Sequence, residues 1–583
     1  GKWTLFCPAK AHLDGEKLLD KNGQEFEQLY VKLEQEIPRR KQVFEKIQKE
    51  LEQVEKIVNS GDCNEDDIKK LHLLTRKRVK ARKNLIDYRV LDARSFYEHI
   101  CDMNVKGTFP YIVYTDSMNG KNNTSNIGKT QSSNLCLEIT LPSSPDSIAS
   151  CNLGHLNLRK FVKTNDSDQK YYDFNHLGRS TQSLVKNIDK VVTLNYYPLD
   201  TRDEKGNVIK KGKIHQPNID NRPLGIGVSG LAEVFAGLKL PYESDEAILI
   251  NKKIFAAMYF NAVYKSCLLA QEFGEYKNFR TGECKIFDKE TNCYKTYKGS
   301  PLSNGFFQFD LWRCEADYLE SVDQLQKDIY CREDDKPIDP EEWGNDLPVK
   351  SWEQLRSMVI RHGVRNSMLI ALMPTASSAQ MLRNAETTEA HQTLIYSRKL
   401  SHGNYTTFSE PFVQDMIREG IWNRKTIDFI NVCNGSIDKI HRFVAENPRY
   451  FPEDFYAEVS EAGMIQKRIK KEKLLRIMDL RKLHKGMYEI SQKLTARMAR
   501  QRGIYVCQSQ SFNVYFSDPS KRLMSAFHLY TNALRLKTGM YYLRANPASQ
   551  TGKFTTSIEI QKYHRKMKKT KAICTEQECI MCQ

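Results

Sequence analysis

Ser133-Asn134-Leu135-Cys136-Leu137-Glu138-Ile139 is the stretch on which the rest of the chain depends. Read as extended backbone, its period of two puts Asn134, Cys136 and Glu138 on one face and Leu135, Leu137 and Ile139 on the other. An amide, a thiol and a carboxylate then converge on a cavity, while the apolar residues anchor in a core. A thiol there can lose a hydrogen atom or act as a nucleophile, and a carboxylate two residues on can move a proton. A plainer reading stays open at this point, because a Cys in an alternating stretch is commonly a small core hydrophobe.

The surrounding chain has 583 residues, 40% of them hydrophobic, which allows a large core and, at about 150 residues per domain, several structural units. No apolar run approaches the ~20 residues that a membrane span needs, so no membrane contact is expected. The 15 cysteines lack a dense, regular spacing and read as reduced thiols of a cytoplasmic protein. The start, Gly1-Lys2-Trp3-Thr4, has neither an initiator Met nor a signal-peptide core and reads as a cut end. The net charge of +17 is concentrated in helical-looking segments such as Arg76–Lys83 and Lys467–Lys471. No RNP, zinc-finger or basic-zipper pattern goes with them, so they read as solvated helix faces rather than a direct nucleic-acid surface.

Taken in order, residues 1–37 are a mixed segment. Residues 38–90 read as a helical hairpin insertion, with Phe44, Ile47, Leu51, Val54 and Val58 in one stripe and Asn64 capping a second helix through Ile68 and Leu71. Residues 91–150 bring a short β-type run, Tyr111-Ile112-Val113-Tyr114, then a polar loop, then the Cys136 stretch. From 151 to 435 strand-like and helix-like segments alternate, which predicts α/β architecture. Within them Cys151 adds a second thiol. Arg222-Pro223-Leu224-Gly225-Ile226-Gly227-Val228 has the wrong spacing for a dinucleotide turn and reads as close strand-to-helix packing. Met373-Pro374-Thr375-Ala376-Ser377-Ser378 runs from a strand into a helix start, where hydroxyls and free N–H groups can cradle phosphate or simply cap the helix. Residues 436–480 read as a basic helical insertion on the outer surface. Residues 481–551 end in Tyr541-Tyr542, read as paired tyrosines of a strand that serve packing or a radical relay. Residues 552–583 read as a flexible tail ending Cys579-Ile580-Met581-Cys582, suited to thiol exchange. Zinc is not expected there, since no matching pair of ligands lies nearby.

Together, Asn134-Leu135-Cys136-Leu137-Glu138, Cys151-Asn152-Leu153, Arg222–Val228, Met373–Ser377, Gly539-Met540-Tyr541-Tyr542-Leu543-Arg544 and Cys579–Cys582 resemble, in the same order, the large catalytic subunit of class I ribonucleotide reductases, nearest the eukaryotic and large-DNA-virus form. The resemblance implies the second half of a ten-stranded α/β barrel with a central finger loop, plus the helical insertions and the tail. It implies reduction of ribonucleoside diphosphates to deoxyribonucleoside diphosphates, with Cys136 as the transient thiyl radical, Glu138 taking the 3′-hydroxyl proton and Asn134 holding the substrate. Tyr541 and Tyr542 would pass the radical, Cys151 would be one of two reducing thiols, and Thr375, Ala376, Ser377 and Ser378 would bind phosphates. Cys579 and Cys582 would re-reduce the site and take electrons from thioredoxin or glutaredoxin. No metal or cofactor is expected in this chain; the radical would come from a small subunit with a metal centre, expected to be di-iron. A homodimer of the complete subunit is implied, in the cytoplasm, or the host cytoplasm for a virus.

The departures are specific. The partner of Cys151 is expected on a strand upstream of Gly1, and Cys7, Cys63 and Cys101 do not sit in its context. The ATP-binding cone, the effector loops and the first barrel strands are likewise expected in a missing N-terminal half, so this segment should bind a complementary polypeptide. Ala390 stands where relatives have Pro. The competing readings are a degenerate scaffold that keeps the fold and a glycyl-radical enzyme, for which no Gly radical site is found.

Overall fold

The computed structural model describes residues 1–107, 109–275, 287–288, 293–294, 297, 299–319, 332–400, 403–461, 464–545 and 556–569. It divides into two compact units, Gly1–Pro110 and Tyr111–Gln583.

In the first unit β1 (Lys2–Phe6) precedes α1 (Gly23–Asn59) and α2 (Glu65–Lys83); β2 (Tyr88–Asp92) then returns antiparallel to β1, and α3 (Ala93–Gly107) follows. Asn64 accepts the N–H of Asp67 at 2.9 Å and Asp67 answers through the N–H of Asn64, a reciprocal cap at the start of α2. Leu51, Val54 and Leu74 are buried between the helices, with Ile47, Val58 and Leu71 packed on them. The expected start of the hairpin at residue 38 is corrected: α1 begins at Gly23 and carries Pro38 inside it. Proline removes one ladder N–H and reads as a boundary. Here buried Leu29 and Leu33 before it and buried Leu51 and Val54 after it anchor the helix on both sides.

The second unit is organised by parallel strands. After β3 (Ile112–Val113) come β4 (Asn152–Asn157), α4 (Phe174–Leu194), β5 (Leu224–Ser229), α5 (Leu231–Gly237) and α6 (Asp245–Glu275). Then follow α7 (Ala376–Met381), α8 (Gln492–Gly503), β6 (Val514–Phe516), α9 (Lys521–Ala533), β7 (Thr538–Met540), β8 (Leu543–Ala545) and α10 (Ile558–Lys569). β4 pairs parallel with β5, Ile226 bridges parallel to Ile370, Leu372 to Gln510, and β6 pairs parallel with β8. Among the described residues the neighbours are thus 152–157, 224–229, 368–372, 508–516 and 541–545, in chain order, with helices in the crossovers. β7 also pairs antiparallel with β3.

All six residues of β5 are buried, as a parallel strand covered on both faces requires. Its glycines allow close packing: a Cβ on Gly225 would lie 2.4 Å from Leu153 Cδ2, and one on Gly227 2.3 Å from Met373 Sδ. Gly230, at φ 82°, turns the chain from β5 into α5. On α4, buried Leu177, Thr181, Val185, Ile188 and Val192 form the inward stripe, and Asp173 caps its start.

One further expectation is corrected. Residues 436–480 are not a surface helical insertion: they include a β-hairpin, Tyr456–Glu461 with Met464–Ile469. Their Phe443, Val444, Phe451, Phe455, Ile477 and Leu480 lie in one core with Phe412, Phe429 and Ile560. The polar loop before Cys136 is buried at Lys121, Asn122, Asn123 and Thr124 and exposed at 125–127. Lys121 lies 3.9 Å over the Trp312 ring and donates to Arg535 O, which is how its charge is accommodated. Among the described residues no helix is long and apolar enough to cross a membrane.

Candidate active site

Cys136 sits in a turn, not in the expected strand. The N–H of Leu137 closes the turn on Asn134 O at 3.2 Å, and Leu137 adopts the left-handed φ of 66°. Alternation fails there, so Leu135 is 73% exposed while Leu137 and Glu138 are both buried. Left-handed leucine costs on the order of 1 kcal/mol, and the loop is held from outside to keep it. Ser511 Oγ donates to Cys136 O, Thr538 Oγ1 to Leu137 O at 2.8 Å, and Ser509 N–H to Glu138 O at 2.9 Å. The Thr140 N–H reaches Gln508 Oε1 at 3.2 Å. Three successive loop carbonyls are therefore fixed by the adjacent strands.

The convergence expected of Asn134, Cys136 and Glu138 arises by this different route. Asn134 Oδ1 accepts the Ile139 N–H at 3.1 Å. Burial pushes the Glu138 carboxyl above its usual range, with the neighbouring Asn134 amide and Ser511 Oγ, 3.3 Å away, acting in the opposite direction. Burial also raises the Cys136 thiol, against the pull of Tyr541. Cys136 therefore keeps its hydrogen at neutral pH, whereas a nucleophilic Cys needs the thiolate.

The group facing that thiol is a phenol. Cys136 Sγ and Tyr541 Oη are 3.3 Å apart. Tyr541 and Tyr542 lie at the break between β7 and β8, where Tyr541 N–H donates to Phe512 O at 2.7 Å and Tyr542 N–H to Asn513 Oδ1 at 3.3 Å. Their ring centroids are 4.3 Å apart, and the Arg544 guanidinium covers the Tyr542 ring at 4.7 Å.

The second thiol is tied to the same scaffold. Gln508, fully buried, donates from Nε2 to Cys151 Sγ at 3.3 Å and to Leu224 O at 2.9 Å, while its Oε1 holds the loop at Thr140. Burial pushes the Cys151 thiol up to about 12, so it too is protonated.

Thr375, Ala376, Ser377 and Ser378 follow the strand segment 368–372, whose neighbour 509–511 grips the Cys136 loop. Thr375 is buried and accepts the Thr387 N–H at 2.9 Å, whereas Ala376 and Ser377 are exposed at the start of α7. Among the described residues Ser229 Oγ, at the end of β5, and Thr387 Oγ1, beside Thr375, are buried with no hydrogen-bond partner. An unsatisfied oxygen at the carboxyl end of a parallel strand fits a polar ligand there. Cys579 and Cys582 lie outside the described residues.

Several residues of the site carried no signal of their own. Gln508, Ser509 and Ser511 interrupt an apolar run from Ile504 to Phe516, and such a polar break in a buried strand could have marked them. Glu389 is another: its carboxylate accepts from Tyr515 Oη at 2.5 Å and Asn513 Nδ2 at 2.7 Å, and burial raises it to about 7 despite both bonds. The folded protein thus holds this proton more tightly than the unfolded chain, so stability falls as pH rises from 4.5 to about 7. Glu389→Gln is expected to remove up to ~3 kcal/mol of that fall, read as denaturation midpoints of both proteins across this window. Parallel pH profiles would refute it.

Comparison with known proteins names a family. The family described as "Ribonucleotide reductase, barrel domain" matches residues 1–542. The chain belongs to the ribonucleotide reductase barrel family. The Caenorhabditis elegans ribonucleoside-diphosphate reductase large subunit is 30% identical over 583 residues, covering 100% of this chain and 55% of that one. Its Plasmodium falciparum counterpart is 31% identical, over 97% and 52%. That of Acanthamoeba polyphaga mimivirus is 31% identical, over 83% and 45%. The chain spans about half the length of the curated relatives it matches. As a ribonucleotide reductase barrel it carries the Cys136 loop, the two tyrosines and Cys151 on adjoining segments of one unit.

Proposed function

We propose that this chain supplies the catalytic barrel of a ribonucleoside-diphosphate reductase. The observation that carries the reading is the contact of a protonated Cys136 thiol with the Tyr541 phenol at 3.3 Å, backed by Tyr542. A tyrosyl radical passed from Tyr542 to Tyr541 takes the hydrogen atom of Cys136, and the thiyl takes the 3′ hydrogen of the ribose. Glu138 accepts the 3′-hydroxyl proton, Asn134 orients the sugar, and the 2′-hydroxyl takes a proton from one of two thiols, Cys151 and a second, and leaves as water. The two thiols supply two electrons and the remaining hydrogen to C2′ and become a disulfide; Cys136 returns the 3′ hydrogen, Glu138 returns the proton to the 3′ oxygen, and the radical goes back to Tyr541.

Thr375, Ala376, Ser377 and Ser378 hold the diphosphate, with Ser229 and Thr387 oxygens nearby for it or its water. The partners are a small subunit whose metal centre generates the radical, an N-terminal half that completes the barrel and binds nucleotide effectors, a second copy of the complete subunit, and thioredoxin or glutaredoxin acting through Cys579 and Cys582. The setting is cytoplasmic.

The test is conversion of CDP to dCDP with dithiothreitol as reductant, by this chain with its N-terminal half and small subunit. Product that depends on all three supports the reading, and no product from the complete assembly sinks it in favour of a scaffold. Within that assay, Ser511→Ala removes the donors to Cys136 O and to Glu138. A loop displaced by a fraction of an ångström should cost about 10- to 100-fold in kcat with little change in KM. An unaltered kcat would show that Thr538 and Ser509 hold the loop without it.

A further inference from the structure

We propose that Tyr111 is a third redox-active phenol of the relay, able to hold the radical that Tyr541 and Tyr542 pass between them. The proposal rests on the reductase reading above and assigns a role to a residue that it leaves out. The Tyr111 ring centroid lies 4.9 Å from that of Tyr541 and 5.1 Å from that of Tyr542, so the three rings form one cluster. The Tyr542 phenol, edge-on to the Tyr111 ring, acts with burial to favour the protonated form of Tyr111. Its placement is built in: Tyr111 immediately precedes β3, whose Ile112 and Val113 pair with Met540 and Thr538 of β7, the strand that leads into Tyr541. The Tyr114 N–H reaches Lys537 O at 3.0 Å and fixes the same register.

Packing alone would be served by phenylalanine. The hydroxyl puts a third phenol in the ring cluster, and burial disfavours the phenolate at both Tyr111 and Tyr541. Between neutral phenols an electron moves with its proton, and rings packed with centroids 5.1 Å apart bring the two hydroxyls near enough for that exchange. The step is Tyr542–O• plus Tyr111–OH giving Tyr542–OH plus Tyr111–O•: one O–H bond breaks, one forms, and one electron crosses with the proton. The oxidant is the radical already on Tyr542. The phenol at 3.3 Å from the Cys136 thiol is Tyr541, so Tyr111 is a side position that shares the radical and not an obligatory step.

The test places 3-aminotyrosine, a phenol that is easier to oxidise, singly at positions 111, 541 and 542 of the full-length protein. Each variant is mixed with the radical-supplying subunit and CDP, and the trapped radical is read by electron paramagnetic resonance. An aminotyrosyl radical at 111 in an amount comparable to the other two is the expected result. Traps that fill at 541 and 542 but stay empty at 111 overturn the proposal while leaving the reductase reading intact. Traps empty at all three positions overturn both. Tyr111→Phe, which takes one of the three phenols out of the cluster, should lower turnover about fivefold and shift the balance of radical between 541 and 542. Turnover and radical balance equal to those of the unaltered protein would also overturn it.

Discussion

Cys136→Ser and Tyr541→Phe are each expected to abolish dCDP formation, by at least about 10^4-fold, with the double variant no worse than either, as groups that act as a unit behave. The reason is the 3.3 Å contact between Sγ and Oη, where the phenol and the thiol can exchange a hydrogen. Serine keeps the size and hydrogen bonding of the thiol but holds its hydrogen too strongly for a phenoxyl radical to remove. Phenylalanine keeps the ring packed at a tilt against Tyr542 and Tyr111 and removes only the hydroxyl that faces Cys136. Both proteins should therefore fold and bind CDP like the parent, with binding and denaturation midpoints as controls. A Tyr541→Phe protein with a tenth or more of the parental kcat would mean that the radical reaches Cys136 by another route. A serine variant with comparable turnover would leave Cys136 no place in the chemistry.

The sequence made the chemistry of this site legible but not its shape. Asn134, Cys136 and Glu138 could be read as an amide, a thiol and a carboxylate that act together, and they do converge. Their backbone was misread as a strand because Leu137 takes its left-handed conformation from a hydroxyl on Thr538, 401 residues away, and local periodicity contains no trace of that bond. The helical stripe of Ile47, Leu51, Val54 and Val58 was readable because it is a local pattern packed on an adjacent helix. Residues 436–480 misled for the opposite reason. Their charges lie on a hairpin, and their apolar residues meet Phe412 and Phe429 from another segment at irregular spacing. Tyr111 looked like any strand aromatic, because what distinguishes it is the pair of phenols it meets on the other side of β7.

Asp189→Ala is expected to cost about 3–5 kcal/mol of folding stability, the scale of an uncompensated buried charge. Asp189 lies on α4 and its carboxylate receives Arg222 Nε at 2.7 Å, Arg365 Nε at 2.8 Å and Asn366 Nδ2 at 2.9 Å. Arg222 is 2% and Arg365 7% exposed, so removing the carboxylate strands two guanidinium groups away from water. Asp189→Asn keeps part of the bonding and should cost less. Burial works against the Asp189 charge, but Arg222 and Arg365 outweigh it and hold the carboxyl below its usual range. A carboxyl depressed in the folded state stabilises above its unfolded pKa and loses that contribution as pH falls, so the gap between Asp189→Ala and the parent should narrow in acid. Denaturant midpoints at neutral and acid pH measure both effects, and a neutral-pH cost under about 1 kcal/mol would show that the cluster is no better than a surface ion pair. The position matters because Arg222 leads into β5 and Asn366 into the 368–372 strand, the two neighbours between which Gln508 reaches Leu224 and Cys151. Loosening Asp189 therefore frees the starts of the strands on which the second thiol is registered, and the destabilised protein should lose turnover with loss of fold and not before it.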